Sequence, residues 1–186
     1  MGTAGGKLIV LDRDGVINYD SDEYIKSPQE WIAIPGSIEA IAKLHHGGFR
    51  VVVASNQSGV ARGLFSEQLL DATNALMTAE IEAAGGALAG IYCCPHHPDA
   101  GCDCRKPAPG LLRRIGQKLG SALNGVALVG DKLSDIDAAL AVDARPILVT
   151  TGRGAKTSEQ LGDRVVEVFA DLAAVANKLL YEIEAA

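Results

Sequence analysis

The hydrophobic positions of this chain fall into short apolar runs that alternate with longer amphipathic stretches. The short runs, rich in branched residues, predict strands at residues 8–11, 50–54, 89–93, 126–129 and 146–149. A run that is apolar on both faces, such as Leu8 to Leu11, is typical of a strand buried within a parallel sheet. Residues 165–169 predict one further strand at the edge of that sheet.

The stretches between these runs predict helices. Ile38, Ile41 and Leu44 form the buried stripe of a helix that has Ser37 as its N-cap and ends before Gly47. Strands that alternate with helices through short connections indicate the α/β class, with a doubly wound parallel sheet. Further helices are predicted to begin at Ser66, at Pro109, shortly after Asp135 and at Asp171, whereas residues 19–31 predict a loop over the edge of the sheet.

Composition and charge narrow the class of protein. A chain of 186 residues with 48% hydrophobic residues predicts a single domain over residues 1–186, with a disordered lead at residues 1–6. The net charge of −6 argues against a nucleic-acid or membrane-surface binder, which is usually basic. No run has the length of a membrane span, and the first apolar stretch stops at Asp12, so no signal peptide is expected. We therefore expect a cytoplasmic protein and a monomer.

Polar side chains follow three of the predicted strands. Asp12 and Asp14 follow the first strand, Ser55 follows the second and Asp131 follows the fourth. Parallel strands bring their carboxyl ends to one edge of the sheet, which is where open α/β sheets bind ligands. An ionised aspartate can attack phosphorus if a divalent cation offsets its charge, and a second carboxyl can move the proton. The alternative for the first pair of aspartates is a turn or a helix cap.

The four cysteines lie close together, between residues 93 and 104, with two histidines among them. Such a cluster is typical of a metal site, whereas a disulfide framework is usually spread over a small secreted chain. Three thiolates and one imidazole make a closed tetrahedral set for structural Zn²⁺. The predicted ligands are Cys94, His96, Cys102 and Cys104, within a zinc loop at residues 94–106. Cys93 and His97 are the possible substitutes.

Four segments of the chain resemble the motifs of phosphatases of the haloacid dehalogenase (HAD) superfamily. They are Asp12-Arg13-Asp14-Gly15-Val16, Ser55 after an apolar strand, Lys106, and Gly130-Asp131 followed by Asp135. Within that superfamily, residues 58–63, 102–107 and 130–132 resemble the D-glycero-D-manno-heptose 1,7-bisphosphate 7-phosphatase family. The histidinol-phosphate phosphatases are the alternative, because they share the short interval from His96 to Cys102. The resemblance implies a Rossmann-type, HAD-like domain without a cap.

The resemblance also implies roles for individual residues. Asp12 would be the nucleophile and Asp14 the acid and base, while Ser55, Arg105 and Lys106 complete the catalytic set. Mg²⁺ would bind to Asp12, to the main-chain carbonyl of Asp14 and to Asp131. For Asp135, capping of the following helix is an equal alternative to a role in the site. Substrate contacts are expected from Asp20, Ser21, Asp22, Glu23, Ser55, Asn56, Gln57, Ser58, Arg62, Arg105, Lys106 and Lys132.

The reaction implied by the family is removal of the 7-phosphate of a heptose 1,7-bisphosphate through an aspartyl-phosphate. The product would be the heptose 1-phosphate, a precursor of the ADP- or GDP-heptose used for lipopolysaccharide. The expected partner is thus a small phosphorylated sugar, with neither nucleic acid nor membrane involved.

Overall fold

The structure, a computed structural model, describes residues 7–185. Its centre is one sheet of parallel strands that lie in the order β3-β2-β1-β4-β5-β6. The strands are β1 (Leu8–Leu11), β2 (Arg50–Asn56), β3 (Leu88–Cys94), β4 (Ala127–Gly130), β5 (Arg145–Val149) and β6 (Glu167–Phe169). This order confirms the predicted doubly wound sheet. The predicted disorder of residues 1–6 lies outside the described residues.

Helices cover both faces of the sheet. They are α1 (Ser37–His46), α2 (Glu67–Ala83), α3 (Gly110–Leu119), α4 (Leu133–Leu140), α5 (Gly154–Ser158) and α6 (Leu172–Glu184), with short 3₁₀ turns at Pro28–Glu30 and Pro98–Ala100. Buried side chains of α1, α2 and α6 pack on one face, and those of α3 and α4 pack on the other. None of the helices described within residues 7–185 is long and apolar enough to cross a membrane.

The first strand lies at the centre of the sheet and is buried on both faces. Ile9 and Leu11 belong to the core beneath α1 and α6, whereas Leu8 and Val10 belong to the core beneath α3 and α4. β1 pairs with β2 on one side and with β4 on the other. The chain order reverses beside β1, so the residues that follow β1 and β4 lie at the switch point where such sheets bind ligands.

The ends of several helices follow the predicted capping chemistry. Ser66 accepts a hydrogen bond from the main-chain nitrogen of Leu69, and Asp171 accepts one from that of Ala174. Each oxygen satisfies an amide that has no partner within its own helix. The predicted starts of α2 and α6 are therefore confirmed.

The structure corrects the predicted start of α1. Ser37 is the first residue of that helix, and Gly36, with φ of 83°, occupies the N-cap. The Ser37 hydroxyl donates to the carbonyl of Ile17 at 2.6 Å, which fastens the helix to the loop after β1. A glycine fits the N-cap here because this left-handed conformation is costly for residues with a Cβ.

Strand lengths and one short helix also differ from the predictions. β2 and β3 remain paired as far as Asn56 and Cys94, so both strands extend beyond their predicted ends at residues 54 and 93. The segment after β5, where the sequence predicts only a glycine-rich turn, contains α5. A helix of five residues is too short for its hydrophobic period to be read.

The core contact of α1 gives a test of the fold. Ile41 is fully buried, so Ile41→Ala leaves a cavity and should lower the free energy of unfolding by about 2–5 kcal/mol. Glu39→Ala, at an exposed position on the same helix, is the matched control and should change it by less than about 0.5 kcal/mol. Urea unfolding measures both variants. A loss below about 1 kcal/mol for Ile41→Ala would contradict the described packing of this helix.

Candidate active site

Three aspartates meet where β1 and β4 end. Asp12, Asp131 and Asp135 are buried, and one carboxylate oxygen of each lies within 4.8 Å of the other two. The pairing of the two strands explains the meeting, since the main-chain nitrogen of Asp12 donates to the Val129 carbonyl at 2.8 Å. Buried carboxylates so close together repel one another unless a cation lies among them. The site is therefore built to hold positive charge.

Lys106 supplies part of that charge. Its Nζ lies 3.0 Å from Asp12 Oδ1 and 2.6 Å from Asp135 Oδ1, and it donates to the Ala54 carbonyl at 2.6 Å. Burial by itself lowers the pKa of this amine, but the charges of Asp12 and Asp135 raise it above its usual value. Lys106 is therefore a fixed cation at the predicted nucleophile.

Asn56 holds the backbone of Lys106 against the end of β2. Its Nδ2 donates to the Lys106 carbonyl at 2.9 Å, and its Oδ1 accepts from the Lys106 amide at 3.0 Å. These two hydrogen bonds hold the Lys106 backbone in the way that a neighbouring strand would. The sequence predicts Asn56 as a substrate contact. The structure shows that its side chain also holds the backbone of Lys106.

Asp131 is held by the segment that follows β5. The main-chain nitrogen of Arg153 donates to its Oδ2 at 2.8 Å, and the Thr157 hydroxyl donates to its carbonyl at 2.7 Å. A Cβ on Gly15 would lie 2.2 Å from Oδ2, and one on Gly152 would lie 2.3 Å from it. The sequence analysis missed this segment, and its only signal is the run of small residues directly after a strand.

The other oxygen of Asp131 is poised for a ligand. Oδ1 is buried and receives no hydrogen bond from the residues described. Burial raises the pKa of Asp131 to about 7, and the charge of Asp12 adds to that rise, although nearby Lys132 opposes it. A bound divalent cation would reverse this effect by stabilising the ionised form. The oxygen-rich donor set fits Mg²⁺, which prefers carboxylate, carbonyl and water oxygens.

Asp14 lies at the cleft in a shell of hydrogen-bond donors. Arg13 donates to it from Nε at 3.1 Å and from a terminal nitrogen at 3.2 Å, Asn18 donates at 2.9 Å, and Gln57 donates at 2.7 Å. Burial favours the neutral acid, but Arg13 and the two amides outweigh it and hold the pKa of Asp14 below its usual value. The sequence analysis assigned no part to Arg13 or Asn18.

Ser55 is linked to Asp14 through a shared donor. The Ser55 side chain is buried, and its hydroxyl oxygen accepts from Gln57 Nε2 at 2.8 Å. The same Nε2 donates to Asp14. The end of β2 therefore brings a hydroxyl and an amide to the carboxylates of β1, as the meeting of strand ends predicts.

An open cleft of about 290 Å³ lies above these groups. Its lining includes three of the predicted substrate contacts that precede Glu23, at residues 20–22, and four cationic side chains. Glu23 and Arg62 are exposed and lie outside the lining, and Ser55 is buried beneath it. Arg153 lines the cleft although the sequence analysis did not single it out. The lining residues are Asp14, Asp20, Ser21, Asp22, Tyr24, Ile25, Asn56, Gln57, Ser58, Arg105, Lys106, Lys132, Ser134 and Arg153.

Two cations of the cleft differ in their surroundings. Lys132 Nζ lies 3.1 Å from Asp20 Oδ2 and 3.4 Å from Asp131 Oδ1. One terminal nitrogen of Arg105 is buried and has no hydrogen-bond partner among the residues described. A buried guanidinium nitrogen without a partner is costly, and an anionic ligand would satisfy it.

Asp135 both caps α4 and contacts the buried charges of the site, the two alternatives that the sequence leaves open. Its Oδ2 accepts from the Lys132 amide at 3.1 Å, which caps α4. Its Oδ1 pairs with Lys106 at 2.6 Å inside the site. The cap and the ion pair use different oxygens, so one does not exclude the other.

A second cluster lies beside the cleft, in the loop after β3. Cys94, His96, Cys102 and Cys104 each offer one ligand atom, and these atoms lie within 4.8 Å of one another. The Sγ of Cys104 is 3.2 Å from that of Cys94 and 3.6 Å from that of Cys102. Free thiols this close, with one imidazole, fit a closed Zn²⁺ site.

The two alternative zinc ligands lie outside this cluster. His97 caps the 3₁₀ turn by accepting from the Asp99 amide, and the Cys93 thiol lies 3.9 Å from the side-chain nitrogen of Asn74. Arg105 and Lys106 directly follow Cys104, so a metal held here would fix the path of the chain into the cleft.

Comparison with known proteins agrees with this geometry. A HAD-hydrolase-like family model matches residues 103–175. The D-glycero-beta-D-manno-heptose-1,7-bisphosphate 7-phosphatase of Pseudomonas putida is 52% identical over 174 residues, covering 94% of this chain and 99% of that protein. The enzyme of the same name from Pseudomonas aeruginosa is 53% identical over 176 residues, covering 93% of this chain and 97% of that protein.

A solved structure extends the likeness to the fold. The D,D-heptose 1,7-bisphosphate phosphatase of Bordetella bronchiseptica, complexed with magnesium and phosphate, superimposes with a TM-score of 0.92. It is 51% identical, and the match covers 95% of this chain and 99% of that one. From its motifs, its fold and these relatives, the chain belongs to the D-glycero-beta-D-manno-heptose-1,7-bisphosphate 7-phosphatase family of the HAD superfamily.

Proposed function

We propose that this protein hydrolyses the 7-phosphate of D-glycero-beta-D-manno-heptose 1,7-bisphosphate and releases the heptose 1-phosphate. The observation that carries the proposal is the meeting of Asp12, Lys106 and Asp131 at the switch point of the sheet. It occurs in a chain that is more than half identical to phosphatases of this name over nearly its whole length. As the family resemblance implies, the product would be a precursor of the activated heptose used for lipopolysaccharide.

Two metals belong to this proposal. Asp12, the main-chain carbonyl of Asp14 and Asp131 would hold Mg²⁺. The buried Oδ1 of Asp131, which receives no hydrogen bond from the described residues, supports that assignment. When bound, Mg²⁺ offsets the negative charge that would otherwise keep a phosphate away from the aspartates. The cluster around Cys104 would hold Zn²⁺ with no open position, so its part is structural.

Asp12 acts as the nucleophile. Its Oδ1 accepts from the Arg13 amide at 2.8 Å and contacts Lys106, so we assign the attack on phosphorus to Oδ2. The new bond joins Oδ2 to phosphorus, and the bond from phosphorus to the sugar oxygen breaks. Asp14 gives its proton to that leaving oxygen. Lys106 neutralises charge on the transferring group, and Ser55 donates to one of its oxygens.

The second half of the reaction returns the enzyme to its starting state. Asp14, now a carboxylate, accepts a proton from water as the water attacks the phosphorus of the aspartyl-phosphate. The Asp12 carboxylate and inorganic phosphate are released. The donors around Asp14 favour this ionised form, whereas an incoming phosphate dianion favours the protonated form that the first half needs.

Substrate recognition falls to loops, since we propose a single domain without a cap. Arg105 offers an unpartnered nitrogen to the 1-phosphate, and Lys132 lies beside the reacting centre. Contacts from residues 20–23 and 56–58, and from Arg62, stay predictions. We propose a cytoplasmic monomer, and the free thiols of its cysteines fit a reducing compartment.

A substrate comparison tests the proposed function. With Mg²⁺ present, kcat/KM for the heptose 1,7-bisphosphate should exceed that for histidinol phosphate by about 100-fold or more, because the second phosphate adds charge-assisted contacts. Phosphate release from the alpha and beta anomers and from histidinol phosphate is the measurement. Histidinol phosphate is the alternative substrate, but the close relatives do not favour it. Faster release from histidinol phosphate would reverse the assignment.

The nucleophile is tested by Asp12→Asn. The change removes the attacking carboxylate without changing its volume, so kcat should fall at least about a thousandfold. The fold should be retained, because one of three mutually repelling charges is lost. Asp71→Asn, at an exposed position on α2, is the control for charge. If Asp12→Asn retained more than about 5% of the wild-type activity, Asp12 would be excluded as the attacking group.

The zinc loop is tested by Cys102→Ser. Loss of one ligand should lower the zinc content and loosen Arg105, while Asn56 still holds Lys106. KM should therefore rise, by about tenfold, and kcat should change less. Metal analysis and steady-state kinetics measure both effects, and Cys93→Ser, outside the cluster, is the control. Zinc-free wild-type protein prepared without chelators would refute the site.

A further inference from the structure

Arg153 stands on the side of the site opposite to Arg105. It follows β5, whereas Arg105 belongs to the loop that follows β3. In the sheet these strands lie on opposite sides of β1, which carries Asp12 and Asp14. Both arginines nevertheless line the same cleft. A substrate seated over the aspartates therefore has a guanidinium on each flank.

The position of Arg153 is fixed by its backbone rather than by its side chain. Its main-chain nitrogen donates to Asp131 Oδ2 at 2.8 Å, which ties the residue to the reacting centre. The guanidinium extends to the mouth of the cleft and is 55% exposed. The side chain can therefore change partners while its attachment point stays in place.

The present partners of that guanidinium are weak. It forms an ion pair with Asp22, whose side chain is 89% exposed, and its Nε lies 3.5 Å from Asp20 Oδ2. Exposed ion pairs of this kind contribute little to stability because water screens them. A phosphate accepts two parallel hydrogen bonds from a guanidinium and carries more charge than one carboxylate. Phosphate is thus the stronger partner for Arg153.

Three other cations near the aspartates are less available than Arg153, whereas Arg105 offers its unpartnered nitrogen from the opposite flank. Lys106 is buried between Asp12 and Asp135, and Arg13 is buried against Asp14. Lys132 is shared between Asp20 and Asp131. A substrate with two phosphates needs positive charge away from the reacting centre as well as at it. Arg153 carries such a charge, and the ion pair that a phosphate would displace is the exposed one with Asp22.

We propose that Arg153 joins Arg105 in binding the phosphate that is not hydrolysed, and that this phosphate takes the place of Asp22. The inference rests on the proposed function, since it needs a substrate with two phosphates. It makes Asp22 a competitor of the substrate, whereas the sequence analysis predicts a direct contact. The ion pair between Arg153 and Asp22 is then broken when the substrate binds, and only a substrate with a second anionic group replaces the contact that is lost.

Kinetics with two substrates test the assignment of Arg153. In Arg153→Ala, KM for the heptose 1,7-bisphosphate should rise about tenfold. This fold-increase should be at least about five times that of KM for p-nitrophenyl phosphate, because only the bisphosphate has a second phosphate. Arg153→Lys should recover part of the loss, since it keeps the charge but not the paired geometry. Lys156→Ala removes an exposed charge on α5 and should change neither KM.

The exchange itself is tested by Asp22→Asn. With Arg153 present, this change should lower KM for the bisphosphate about two- to threefold, because the competitor is gone. In the double variant with Arg153→Ala the gain should vanish. An unchanged or higher KM in Asp22→Asn would overturn the exchange, and equal effects of Arg153→Ala on both substrates would overturn the assignment.

The outcome for wild-type protein separates this inference from the proposed function. If wild type hydrolyses p-nitrophenyl phosphate but not the bisphosphate, the proposed function is wrong and the inference falls with it. If wild type hydrolyses the bisphosphate and Arg153→Ala leaves both KM values unchanged, the proposed function stands and the inference alone is wrong.

Discussion

The contact between Lys106 and the buried carboxylates is the constraint on which the site depends. Three aspartates lie within 4.8 Å of one another at the end of the sheet, where water cannot screen them. Their repulsion is offset because a buried lysine lies between two of them. The negative charge that Lys106 leaves uncompensated favours the binding of a divalent cation. The cation in turn favours the binding of a phosphate.

The rest of the molecule positions these charges. The central strand is buried on both faces, so its register is fixed and Asp12 emerges at one defined height. Hydrogen bonds with the Asn56 side chain then hold the backbone of Lys106, and the main-chain nitrogen of Arg153 holds the Asp131 carboxylate. The zinc loop contributes the arginine that faces the cleft. Lys106 and Asp131 are thus each held by a backbone or side-chain contact in addition to their ion pairs.

The sequence predicts the strands and the polar groups at their ends because both depend on local pattern. Apolar runs reveal buried strands, and parallel pairing then brings Asp12, Ser55 and Asp131 together without further information. The anchors could not be predicted in this way. Asn74, which accepts from Arg13 at 3.2 Å, lies in the middle of a helix, and nothing in the spacing connects it to the site. Arg153 lies in a segment for which the sequence predicts only a glycine-rich turn, so nothing in the pattern points to a contact with the site.

Ser37 and Arg62 show two further limits of sequence analysis. A serine after a glycine satisfies the rule for a helix cap, yet the hydroxyl has a better partner in the loop after β1. Arg62 lies in a motif typical of the family, but its side chain is exposed and outside the lining of the cleft in the described chain. Motifs identify residue types, whereas tertiary contacts decide which partner each one meets.

The two glycines that enclose Asp131 set a limit on redesign of the enzyme. Gly15 and Gly152 approach the carboxylate from two loops so closely that a Cβ on either would lie 2.2 or 2.3 Å from its Oδ2. Glutamate in place of Asp131 would press a longer side chain against these backbones, so a chemically conservative exchange becomes a steric one. A longer carboxylate at position 131 would therefore require that both backbones be rebuilt first.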